Sequence, residues 1–248
     1  MERSKETGLE DLDGLAEVGL LLVALIGGCR TAVLEEIVGE GWSLECVDDY
    51  ESCPFFYAAA RGQKLLTRSM MDEADGPEAA LAELSADEAG AMPLHYAALN
   101  GHNDVAALFL ARGADPDPVD NSGATPLHYA ARRHHTDVVE ILVQPGANIN
   151  AVKKNGNTPL HEALRGYDSA AEILLRRSVT AIDDTLRPTG PAVNVVMERQ
   201  DEGPEDTALL LIQNGAGINS RNNDGKSPLD LAEAAGLKKV VEILKKKS

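Results

Sequence analysis

Aromatic side chains are scarce: one Trp, three Phe and five Tyr make up 4% of 248 residues. An interior with so few rings must be filled by Ala, Leu and Val, which suits small helices in close contact. Basic residues are short as well, 23 Lys and Arg against 40 Asp and Glu, a formal charge of −17. The imbalance lies mostly in the first part, with 20 acidic and 6 basic residues up to Met92 and 20 and 17 from Pro93 onward. A nucleic acid or an anionic membrane surface would gain no neutralisation there, so neither is expected as a partner. A basic segment of another protein is the natural complement.

Cysteine is limited to Cys29, Cys46 and Cys53, an odd set without metal-type pairing. That usage points to a reducing compartment, cytoplasmic and compatible with the nucleus. No apolar run is long enough to span a bilayer. The nearest, Leu20 to Gly28 before Cys29, follows six acidic residues against Arg3 and Lys5. A secretory signal needs the opposite charge, so the run reads as a helix of the fold. Motifs of catalysis are missing too: there is no nucleophile elbow, no glycine-rich loop with a following lysine and no paired-histidine metalloprotease helix. The expectation is a chain without enzymatic activity, cofactor or metal. His128, His134, His135 and Asp137 form the one dense group of potential ligands, and their spacing matches no zinc signature.

What the chain does have is a period. Pro93, Pro126 and Pro159 each sit in a Pro-Leu-His triplet, thirty-three residues apart. In the clearest copy, Thr125 to Asn157, Thr125 can cap a helix and Pro126 takes its first position. Ala130 and Ala131 permit close helix contact, and Val138, Val139, Ile141 and Leu142 are apolar at helical spacing. Gly146 stops that second helix and Asn155-Gly156 supplies a turn before the next Thr-Pro. One such helix pair cannot bury its apolar face alone and must stack on neighbours of its kind.

The period, the TPLH motif, the small pair and the GANIN ending resemble the ankyrin repeat. The likeness is strong over Ala91 to Leu175 and Gly215 to Leu244. It implies an all-α solenoid of about seven helix-turn-helix repeats joined by hairpin loops. Residues 1–16 read as an acidic, disordered leader and 17–248 as the array, with repeats starting near 20, 53, 92, 125, 158, 190 and 227. An acidic insertion is expected at 71–91, where Pro77 could open a short extra helix. The fifth repeat is one residue short between its helices. The sixth is degenerate, with Pro191 to Arg199 as its first helix and Asp206 to Ile212 as its second. Asp230 replaces histidine in the seventh.

The resemblance further implies that His95, His128 and His161 hydrogen-bond backbone between repeats, and that a partner binds the concave side. The slot after Pro-Leu-His carries Tyr57, Tyr96, Tyr129 and then Glu162. Such a stripe serves either as a hot-spot row or as local packing. Neighbouring slots give Arg61, Asn100, Arg132, Arg133 and Arg165, and hairpin tips run from Asp48, Asp49 and Glu51 through Asp120 and Asn121 to Lys153 and Lys154. The expected function is binding of another protein by a monomeric adaptor, inhibitor or assembly chaperone. The alternative is a non-catalytic subunit or fragment that contributes substrate recognition to an enzyme complex. By resemblance, Asn150 and Asn219 also look like sites of asparaginyl hydroxylation.

Overall fold

A computed structural model describes residues 54–73, 86–165 and 203–247. They form ten α-helices and no strand: α1 Pro54–Arg61, α2 Lys64–Glu73, α3 Pro93–Leu99, α4 Asn103–Ala111, α5 Pro126–Arg132, α6 Thr136–Val143, α7 Pro159–Leu164, α8 Pro204–Gln213, α9 Pro228–Ala234 and α10 Lys238–Lys247. Each short helix that opens on proline pairs with the longer one that follows, and the pairs stack in one direction. Residues 1–53, 74–85, 166–202 and 248, with the leader, the repeat near 20, the helix at Pro77, the expected second helix of the fifth repeat and the Pro191 helix, lie outside the described residues.

Why the short helices hold together is visible at their first turn. The backbone N–H of Met92, Thr125 and Thr158 donates to Nδ1 of His95, His128 and His161 at 2.9, 3.1 and 3.3 Å, satisfying a donor that the helix itself leaves open. Apolar burial does the rest. Leu127, Ala130, Ala131, Val138, Val139 and Leu142 are fully buried, and the equivalent residues of the adjoining pairs belong to the same continuous core. Chain reversal between helices needs a left-handed residue. Gly62 and Gly101 supply it, and the ring of the next repeat's His102 or His135 fills the space where a Cβ would stand. The corresponding residue one repeat on is His134, at φ 57°.

Two features of the described residues border on the expected repeat boundaries. Met70 and Met71 are buried in α2, and Asp87 to Ala91 form a turn in which Asp87 N donates to Ala91 O. Both ends of the expected 71–91 insertion are therefore ordinary parts of repeats, because their burial and turn bonding match those of the regular copies. The repeat expected to open near 190 lies outside the described residues, but the segments on either side of it are described. His95 and His128 reach carbonyls 29 residues ahead, whereas His161 reaches Lys226 O, 65 residues ahead. Turn-to-turn bonds agree: Asn121 N donates to Ala89 O, Lys154 N to Ser122 O, and Asn223 N to Asn155 O. Hairpin 221–227 thus sits directly on hairpin 152–158. Helix α8 packs on α6 and α7 and acts as the second helix for α7, although 39 residues separate the two in sequence.

The last pair is finished differently from the inner ones. Where α5 has the buried Ala131 and α6 the partly buried Val143, α9 and α10 carry Glu233 and Lys245, paired at 2.7 Å. A polar pair here replaces a small and an apolar residue, as suits the solvent-facing side of a terminal pair among the described residues. Asp230, in the histidine slot, accepts from Ser227 N and Oγ at 2.8 Å each.

Candidate interaction surface

Each hairpin precedes a first helix and is tied to it by one side-chain pair nine residues apart. Asp87 Oδ1 accepts from Ala91 N, and its Oδ2 accepts from Tyr96 Oη at 2.5 Å. Asp120 repeats the arrangement, taking Ala124 N, Ser122 N and Ser122 Oγ on Oδ1 and Tyr129 Oη on Oδ2 at 2.6 Å. Burial pushes the Asp120 carboxyl up, but these hydrogen bonds together outweigh it and hold the group below the usual carboxylate range. The Tyr129 hydroxyl moves the other way, raised by burial and by its bond to Asp120.

In the next repeat the same two places hold Lys153 and Glu162. Lys153 Nζ lies 3.5 Å from Glu162 Oε1, Arg132 Nη1 lies 3.6 Å from Oε2, and Asn157 Nδ2 donates to Oε1 at 2.7 Å. Glu162 is 2% exposed. Burial raises its pKa, yet Lys153, Asn157 and Arg132 together lower it below the ordinary value. The Tyr–Asp hydrogen bond of two repeats has become an ion pair in the third, at the same position.

These contacts sort the residues singled out from the sequence. Tyr96 is 4% exposed, edge-on to Phe56 at 5.5 Å, and presents no face to a partner; for this residue local packing is what the stripe provides. Glu162 is likewise interior, the centre of an ion cluster rather than a contact residue. Tyr129 is half-buried, with its ring edge on His95. The side chain of Tyr57 lies outside the described residues. Arg61 is exposed at the end of α1, and Asn100 bridges repeats by donating to Ala60 O and Tyr96 O. Arg132, Arg133 and Lys153 are half-buried, while Lys154 and Arg165 are exposed. Asn150 accepts from Gly217 N at 2.7 Å and so links its hairpin to the next, while Asn219 is exposed. The histidines near α5 are drawn apart, His128 bonding forward to Asn157 O and His135 back to Leu99 O. Sequence reasoning missed the hairpin-to-helix couple, although its nine-residue spacing and its change from Asp–Tyr to Lys–Glu are both written in the chain.

The family model for ankyrin repeats, three copies, matches residues 20–120 and 107–184. The chain belongs to the ankyrin repeat family. No individual curated protein matched the chain. Ankyrin repeats are in general protein–protein interaction modules. Among the described residues of this ankyrin array, no helix is long and apolar enough to cross a membrane.

Exchanging the couple tests its energetics. Glu162→Tyr leaves Lys153 and Arg132 without their carboxylate, and Lys153→Asp sets two carboxylates together; each should cost about 3 kcal/mol. The double variant recreates the pair of the two preceding repeats and should recover about 2 kcal/mol in a denaturant-melt cycle. Additive losses would mean that the two side chains are not coupled. The histidines give a pH dependence. His128 is held down to about 4, from 6.5, by burial and by the facing Lys153. Burial also lowers His95 and His161. The unfolded chain therefore binds more protons below 6.5, so stability is complete above that pH and falls as the pH drops toward 4, by about 3 kcal/mol from His128. Urea unfolding at pH 7.5 and 5 should show the loss, and His128→Gln should shrink it. Equal stability at the two pH values would contradict the assignment.

Proposed function

We propose that this ankyrin array binds another protein, as an adaptor, inhibitor or assembly chaperone, through the face formed by its hairpins and the ends of its first helices. One observation carries the reading: a periodic interior beneath an aperiodic hairpin face. Inside, the same residue types recur at each step, with His95, His128 and His161 engaged in backbone bonds. On the hairpins, equivalent exposed positions hold Glu88, Asn121, Lys154 and Asn223, and just before the turn Ala86, Val119, Val152 and Arg221. Stacking does not require this variety, whereas recognition of an irregular partner does. The hairpin charge runs from acidic at Glu88, Asp115 and Asp117 to basic at Lys153 and Lys154, so a partner segment would be oriented by complementary ends.

Affinity capture by the tagged full chain, followed by substitution, separates this face from the opposite one. Arg61→Glu and Asn121→Arg should weaken the captured complex about tenfold, roughly 1.4 kcal/mol, while Asp104→Arg and Glu140→Arg on the second helices should leave it unchanged. The reverse pattern would place binding on the second-helix side.

A further inference from the structure

The overall charge of −17 favours basic ligands, yet one stretch of the hairpin face has the opposite local character. Among the described residues only three large hydrophobic side chains are exposed, and two of them, Val119 at 62% and Val152 at 60%, occupy the same slot of adjacent hairpins. Those hairpins are joined by the Lys154 N to Ser122 O bond of 2.9 Å, so the valines stand one repeat step apart. Beside Val152 lies exposed Lys154, and exposed Arg165 ends the helix of the same repeat. Among the described residues neither cation has an ion-pair partner, whereas the other two cations here, Arg132 and Lys153, are taken up by Glu162. At contact range, with charges beyond about 8 Å screened, unpaired local cations outweigh a distant negative excess.

We propose that Val119, Val152, Lys154 and Arg165 receive an extended acidic segment that carries aliphatic residues three positions apart. This rests on the hairpin face being the docking side, and it names the chemistry that side selects. The spacing follows from geometry. Stacked helices are about 8–10 Å apart, and an extended polyproline-type chain advances about 9 Å in three residues with the same face forward. Aliphatic side chains at i and i+3 therefore meet Val119 and Val152 in turn. Carboxylates beside the second one reach Lys154 and Arg165, where paired charges set orientation and encounter rate.

Selection of a random twelve-residue peptide library displayed on phage against the full chain tests this. Enriched sequences should combine aliphatic residues at i and i+3 with two or more carboxylates. A synthetic copy of an enriched peptide should bind at least tenfold more weakly to Lys154→Glu/Arg165→Glu, and likewise to Val119→Ser/Val152→Ser, with salt weakening the wild-type complex. All four positions are exposed, and unchanged melting curves would show that the variants fold. Enrichment of basic peptides, absence of any enriched class, or acidic binders indifferent to both double variants would each overturn the proposal. None of those results touches the face-mapping experiment with the captured protein, which fails only if second-helix substitutions abolish binding.

Discussion

The hydrogen bond from a histidine Nε2 to a carbonyl of the following hairpin is the constraint on which the stack depends. Because the N-cap amide donates to Nδ1, that nitrogen must be the acceptor, and a neutral ring then has its proton on Nε2, ready for Ala124, Asn157 or Lys226. One side chain therefore closes its own helix and holds the next repeat in place. A single bond of this type contributes about 1 kcal/mol, but it fixes which hairpin follows which. Protonation would set a donor against the amide, so the link requires a neutral ring.

Asn157 shows how far this organisation reaches. Its carbonyl accepts from His128, its Nδ2 donates to Glu162, and its Oδ1 accepts from Asn222 Nδ2 at 2.9 Å. Three consecutive repeats meet at one fully buried residue. Among the described residues, His95, His128, His161 and the buried carboxylate of Glu162 are engaged in such links. The proposed binding face is the outer side of the hairpins, where exposed residues change from one repeat to the next without disturbing the interior. In an array whose units contact only neighbours, that separation lets surface and stack vary independently.

The period and the proline-led helices were legible in the sequence because each is written locally, in residues within a few positions of one another. The roles of His95, His128 and His161 followed from the family resemblance for the same reason. Less legible was anything that depends on which segment stacks on which. Residues 204–219 match 135–150 in pattern, and that match alone does not say whether α7 or a helix near 190 is the partner of α8. In the structure α8 packs on α7, and the bond from His161 to Lys226 ties α7 to hairpin 221–227 at a separation no local pattern encodes. Burial was similarly hidden: Tyr96 and Tyr129 look like one stripe, yet Tyr96 is enclosed beside Phe56 while Tyr129 stays half-buried. The free and engaged cations could not be told apart by type, since Lys153 and Lys154 are adjacent and only Lys153 meets Glu162.

The direct stacking of hairpin 221–227 on hairpin 152–158 is the claim from which the arrangement of the C-terminal half follows. Asn223 N donates to Asn155 O at 3.0 Å, which brings the two residues within the reach of a disulfide, whose Cα atoms stand about 4.4–6.8 Å apart. Asn155→Cys combined with Asn223→Cys, in a chain with Cys29, Cys46 and Cys53 changed to Ser, should cross-link under mild oxidation without loss of helical signal. Peptide mass mapping should recover the 155–223 linkage in high yield. If another repeat stood between the two hairpins they would be about 16–20 Å apart. A folded chain that fails to form this linkage would contradict the register.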